Sequence, residues 1–153
     1  MGKSRWRKTA CTVVVLCAAT AITSPAQTFT TLLNFNGTNG STSRTVLVQG
    51  SDGSFYGTTS AGGTEGYGTV FKFAVMGTLT TLHTFRGADG AFPSSLIQAT
   101  DGDFYGSTDQ GGANGVGTIF KITPAGKLTT LHSFNRTDGE SPDSGLVQVI
   151  GDN

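Results

Sequence analysis

A tandem duplication constrains this chain more than any other feature in it. Asp52-Gly-Ser-Phe-Tyr-Gly57, Gly68-Thr-Val-Phe-Lys72 and Leu79-Thr-Thr-Leu-His-Thr-Phe85 return 49 residues later. The second copy reads Asp101-Gly-Asp-Phe-Tyr-Gly106, Gly117-Thr-Ile-Phe-Lys121 and Leu128-Thr-Thr-Leu-His-Ser-Phe134. Without gaps, residues 52–93 and 101–142 are identical at 23 of 42 positions. A chain written this way must fold as a stack of like units, because whatever one copy buries the next buries too.

Within each unit the apolar residues alternate with polar ones, which marks half-buried strands and gives no helical period. Thr28–Phe35 reads as a strand, and Thr78–Phe85 and Lys127–Phe134 are the same element. A short strand follows around Val46–Gln49. Ser51-Asp52-Gly53 then makes an Asp-Gly hairpin turn, in which Gly supplies the positive φ. Ser54–Thr59 returns, Gly62–Gly68 loops, Thr69–Phe73 is the third strand, and Val75-Met76-Gly77 turns into the fourth. In the second copy that last turn is Pro124-Ala125-Gly126, with Pro setting φ and Gly taking the left-handed position. Arg86–Pro93 reads as a loop into Leu96-Ile97-Gln98, and Leu146–Ile150 as a final strand.

Four short strands in about 49 residues is the pattern of a β-propeller blade. The expectation is therefore all-β, with antiparallel four-stranded meander repeats, about ten strands, and no closed ring. Full repeats span 47–85 and 96–134 within a repeat domain over 27–153. On the strand Leu79–Phe85, neither alternating face carries acids or lysines, so both faces are expected to pack between neighbouring blades. Composition agrees. Gly is 23 of 153 residues and charged residues are 13%, a balance suited to tight turns between short strands. Gly151-Asp152-Asn153 stands where the next hairpin should begin, so either a shortened version of a longer array or assembly of the pieces between chains is expected, the first favoured because the last residues read as an interrupted ordinary repeat.

Residues 1–26 have a different character. Lys3, Arg5, Arg7 and Lys8 precede the apolar run Ala10–Ile22 and the small-x-small sequence Ser24-Pro25-Ala26, the features of a secretory signal peptide. The run is shorter than the roughly 20 apolar residues of a membrane span. Cleavage after Ala26 would remove Cys11, Cys17 and Trp6, leaving no thiol chemistry. Six basic and ten acidic residues would remain, a net charge of −4. That balance argues against nucleic acid as a partner and against a membrane surface after cleavage. The expected location is extracellular, secreted or at the cell surface.

The motifs Phe55-Tyr-Gly-Thr-Thr59, Gly68-Thr-Val-Phe-Lys72 and Leu79–Phe85 resemble the GloVer tandem repeat of secreted bacterial choice-of-anchor proteins. The resemblance extends over Thr28–Asp152. It implies a secreted or surface-held propeller-like protein, and it brings no catalytic residues to carry over.

Candidate chemistry is sparse. His83 and His132 occupy equivalent positions and could be paired metal ligands. The first copy of that strand has Leu33 there, so an apolar packed position is expected instead. Gly62–Gly68 and Gly111–Gly117 precede strands, not helices, and so lack the context of a phosphate loop. Asp101 and Asp103 lack the alternating pattern of a calcium loop, and Asp89 and Asp138 read as turn formers. Tyr56 and Tyr105 are expected to fill gaps between blades; Tyr67 lies in the glycine loop. No catalytic, cofactor or metal residues are assigned, and no cofactor is expected. The functional expectation is a non-catalytic binding or cell-envelope scaffold, with glycan, an envelope component or other copies of the repeat as partner. The alternative is a fragment of an extracellular propeller enzyme acting on polysaccharide.

Overall fold

The Asp-Gly turns form where the sequence places them. In the computed structural model of the protein, which describes Thr28 and residues 30–149, Gly53 donates to Gly50 O at 2.9 Å with φ +78°. Gly102 repeats this on Ala99 at 3.0 Å with φ +84°. The chain divides into two units, Met1–Thr30 and Thr31–Asn153, and the sheets lie in the second. The signal peptide expected over 1–26 lies outside the described residues.

Eight strands form two antiparallel four-stranded meanders. The first blade is β1 (Val48–Gln49), β2 (Phe55–Thr59), β3 (Thr69–Phe73) and β4 (Leu79–Thr84). The second is β5 (Ala91–Gln98), β6 (Phe104–Gln110), β7 (Thr118–Ile122) and β8 (Leu128–Ser133). Registers match between blades: Tyr56 faces Lys72 and Gly57 faces Phe71, as Tyr105 faces Lys121 and Gly106 faces Phe120. Even the irregularity is copied, at Val70/Phe71 and Ile119/Phe120.

Two expected strands do not form. Residues 31–35 and 146–149 carry no ladder, giving eight strands among the described residues where the sequence suggested ten; Ile150 lies outside them. Each segment has the sequence of a strand seen in the two blades, but a strand exists only where a neighbour supplies the other half of its hydrogen bonds. In the opposite direction, β5 begins at Ala91, inside the expected loop. Pro93 is tolerated because β5 is an edge strand with a bulge between Pro93 and Ser95. In blade 1 the corresponding stretch is not a ladder. There the backbone pairs only as an isolated bridge between Ser41 and Ala61, and farther along Thr45 Oγ1 accepts from the Thr58 amide at 3.2 Å in place of a backbone carbonyl.

The core lies between the blades. Tyr56, Val70 and Phe85 of the first meet Leu96, Phe104, Phe120 and Ile122 of the second. Tyr56 lies against Phe104 with ring centroids 4.0 Å apart, and Phe85 meets Phe120 edge-on at 5.3 Å. Phe35 meets Phe71 in the same way at 5.2 Å, so the phenyl closing one repeat seats on the third strand of the next. Gly106 permits this packing, since a Cβ there would lie 2.4 Å from Phe120 Cζ. The threonines that begin β3 and β7 are fully buried and paired by hydroxyls. Thr59 Oγ1 meets Thr69 Oγ1 at 2.9 Å, and Thr108 Oγ1 meets Thr118 Oγ1 at 2.8 Å.

Candidate functional site

The Asp-Gly-x-Phe-Tyr-Gly hairpin carries a charged network that its own turn positions. Asp52 Oδ1 accepts from the Ser54 amide at 3.0 Å, which fixes the turn. Its Oδ2 accepts from the Tyr56 hydroxyl at 3.0 Å and from Lys72 Nζ at 2.7 Å. Asp101, Tyr105 and Lys121 repeat the arrangement at 2.8 and 2.9 Å, and Asp103 adds a second carboxylate 2.7 Å from Lys121. Each ammonium also lies over its tyrosine ring, 5.5 and 5.4 Å from the centroid. The Lys72 hydrogen bond, with the Ser54 amide behind it, brings Asp52 down to a pKa of about 2. Lys121 similarly holds Asp101 low, while Asp103 and Asp101 hold Lys121 above its ordinary value. Burial raises Tyr56. The hydrogen bonds of each network thus favour the charged forms of Asp52, Asp101 and Lys121.

That preference makes an acid-stability prediction. A carboxylate whose folded pKa lies below its unfolded value stabilises the fold above the unfolded pKa. The contribution is lost as pH falls through the folded one. For Asp52 the window runs from the usual carboxylate value near 4 down to about 2. Asp52→Asn is expected to flatten the loss of stability between those limits, measured as urea midpoint against pH.

Lys72 and Lys121 escaped the sequence reading. Their signal was present: each is a lysine kept in both copies of a charge-poor chain, and hairpin register sets it opposite the tyrosine.

The histidines overturn an expectation. His83 and His132 are not apolar core positions. His83 Nε2 lies 2.8 Å from Asp89 Oδ2, and His132 Nε2 lies 2.9 Å from Asp138 Oδ2. Each aspartate uses its other oxygen to hold the turn, accepting from Arg86 N and Asn135 N at 2.9 Å. The Asn135 amide lowers the Asp138 pKa, with help from His132. The first copy has Leu33 where these have His, and there Asn39 replaces the aspartate and accepts from Asn36 N at 2.8 Å. The neutral amide accompanies leucine and the carboxylate accompanies histidine, so the pair works as one turn clasp. No group of three potential metal ligands occurs among the described residues.

The glycine loops are docking surfaces for the preceding repeat. The Gly63 amide donates to Gly37 O and the Gly112 amide to Gly87 O, both at 2.8 Å. The turn closing one repeat therefore seats on the Gly-Gly pair of the next. These loops do more than reverse the chain, which is all that turn geometry had required of them.

What remains is a polar groove of about 310 Å³ between the inner strands, lined by Arg44, Ser60, Phe92, Pro93, Ser94, Asp109 and Asp143. Arg44, Ser94 and Asp143 hold one position in three successive copies, and Ser60 and Asp109 one position in two. Two residues before each of the three, the backbone is left-handed: Thr42 at +56°, Phe92 at +56° and Ser141 at +48°. Such φ values cost about 1–3 kcal/mol for ordinary residues. Repetition makes them a built feature that turns each copy inward. Equivalent positions converging on one groove define the axis side of the stack. The residues there differ between copies, whereas Asp52, Tyr56, Lys72, His83 and Asp89 recur as Asp101, Tyr105, Lys121, His132 and Asp138. Comparing copies for disagreement, where the sequence reading compared them for agreement, would have exposed Arg44, Asp109 and Asp143.

Successive four-stranded meanders, packed face to face with equivalent positions gathered along one side, define a propeller-type repeat protein. The sequence profile described as the Gloeobacter/Verrucomicrobia repeat matches residues 18–153, and the chain belongs to that family. No curated protein and no solved structure matches it.

Proposed function

We propose that this chain is an exported, non-catalytic repeat protein that serves as a binding or cell-envelope scaffold. One observation carries the reading. The ionisable groups kept in both copies are engaged in holding turns, while Arg44, Asp109 and Asp143, which differ between copies, share the inner groove. Beside Phe92, the Arg44 guanidinium offers donors and the Asp109 and Asp143 carboxylates offer acceptors to a polyhydroxylated ligand, while the Ser60 and Ser94 hydroxyls, which donate to Thr42 O and Pro142 O, can add acceptors. Export is supported by the signal-peptide pattern of residues 1–26. N-terminal sequencing of protein recovered outside the cell should begin at Gln27, and a retained Met1 would count against it.

Calorimetric titration with extracellular and cell-wall polysaccharides tests the binding claim. Arg44→Ala and Asp109→Ala should each weaken binding by about tenfold or more, the size of a lost hydrogen bond to a charged group, with thermal unfolding unchanged. Hydrolysis of any of these polysaccharides would instead establish the enzymatic alternative. Binding that both variants retain would move the site elsewhere.

A further inference from the structure

The polar groove adjoins a second cavity, of about 370 Å³, and Arg44 and Ser94 line both. Val46, Val48 and Leu96 give this second cavity an apolar wall. Its hydroxyls are already engaged within the fold. Thr45 Oγ1 accepts from the Thr58 amide at 3.2 Å and meets Thr58 Oγ1 at 3.0 Å. Ser94 Oγ donates to Pro142 O at 2.9 Å, and Ser95 Oγ meets Ser107 Oγ at 2.7 Å. Arg44 differs from them, since it forms no ion pair among the described residues although two carboxylates line the same groove. The second cavity is therefore an apolar recess with one cationic donor where it meets the groove.

The recess lies where the copies depart from their common spacing. Leu47 follows Arg44 by three residues and Leu146 follows Asp143 by three, but Leu96 follows Ser94 by two. Matching Thr45 and Ser144 to Ser95 leaves Val46 and Gly145 as the additional residues, and both line the recess. Additions to a repeat collect on one face of a stack, often the binding face. Neither residue serves packing within the fold: Val46 is 86% exposed, and a Cβ on Gly145 would meet nothing within 4 Å.

We propose that the recess takes the acyl substituent of a sugar whose ring lies in the polar groove, which rests on the groove being the ligand site as proposed above. The acyl carbonyl accepts from Arg44, its alkyl part covers Val46, Val48 and Leu96, and ring hydroxyls donate to Asp109 and Asp143. Charge complementarity selects this class of ligand. An acidic sugar would suit Arg44 but would meet two carboxylates against one guanidinium. An amino sugar would suit the carboxylates but would set its ammonium near Arg44 and leave the recess empty. A neutral acylated sugar satisfies the guanidinium, the carboxylates and the apolar wall together.

Calorimetric titration of the whole chain with three hexamers of one β-linked backbone tests this. Cellohexaose, chitohexaose and the glucosamine hexamer present a hydroxyl, an acetamido group and, in mildly acidic buffer, an ammonium at the same ring carbon. Chitohexaose is expected to bind about tenfold or more tighter than cellohexaose, the size of an added hydrogen bond to a charged group. Gly145→Leu, which fills the recess from a position open to a side chain, and Val46→Asp, which puts a carboxylate on its wall, should each bring that ratio close to one with thermal unfolding unchanged. Equal binding of chitohexaose and cellohexaose by the wild type overturns the acyl site and leaves the groove reading standing. So does a preference that survives both variants, or tighter binding of the glucosamine hexamer than of chitohexaose. Binding of none of the three overturns the groove reading and the acyl site together.

Discussion

Phe85→Ala is expected to lower the unfolding free energy by about 3–5 kcal/mol, the usual range for emptying a fully buried phenylalanine site. Phe85 is 0% exposed and packs edge-on against Phe120 of the next blade. The variant thus removes packing inside a blade and between blades at once. Marginal stabilities of about 5–15 kcal/mol leave little after such a loss. Phe134→Ala makes the matched comparison. Phe134 ends the second repeat as Phe85 ends the first, in nearly the same local sequence, but it is only half-buried. If inter-blade packing dominates, urea denaturation should show a clearly smaller loss for Phe134→Ala. Equal losses would mean that the phenyl acts within its own blade, and the stack would then be a poor description of what holds the protein together.

The fold was legible because its determinants are local and duplicated. Asp-Gly turns, alternation along Thr69–Phe73 and two copies of each motif fixed strand identity and order without any long-range information. The errors fell where the partner decides. Thr31–Phe35 and Leu146–Val149 have strand-like sequences, and they form no ladder because no strand among the described residues completes one. Pro93 suggested a loop, since a missing amide hydrogen is unfavourable in a sheet interior; edge position and a bulge remove that objection.

The candidate site was less legible, for a related reason. His83 looked apolar because its counterpart is Leu33. The residue that decides is Asp89, six positions on, which reaches back to the imidazole. Reading position by position separates two residues that substitute together, His with Asp and Leu with Asn. Arg44, Ser94 and Asp143 are about 50 residues apart and meet only because blades stack at a fixed rotation. No periodicity within one repeat brings them together.

Gly111→Ala should be the most damaging of the exposed-loop glycine substitutions, and a second glycine separates its two causes. At φ +78° an alanine pays about 1–2 kcal/mol for the left-handed conformation. Gly115, at φ +77° in the same loop, would pay the same amount, and a Cβ there meets nothing within 4 Å. At Gly111 the new Cβ would also lie 2.4 Å from Gly87 O and 2.8 Å from Ala91 N. These are backbone atoms of the turn docked there, and no rotamer change moves them aside. Subtracting the Gly115→Ala loss from the Gly111→Ala loss therefore isolates the cost of displacing the first blade's closing turn from the second blade's loop. Urea denaturation of both variants is expected to give a difference of at least about 1–3 kcal/mol, comparable to overpacking a core. A difference near zero would show that the turn shifts away freely. The Gly-Gly pair would then be a hairpin device only, and the inter-blade contact would rest on the packing of Tyr56, Val70 and Phe85 against Leu96, Phe104, Phe120 and Ile122.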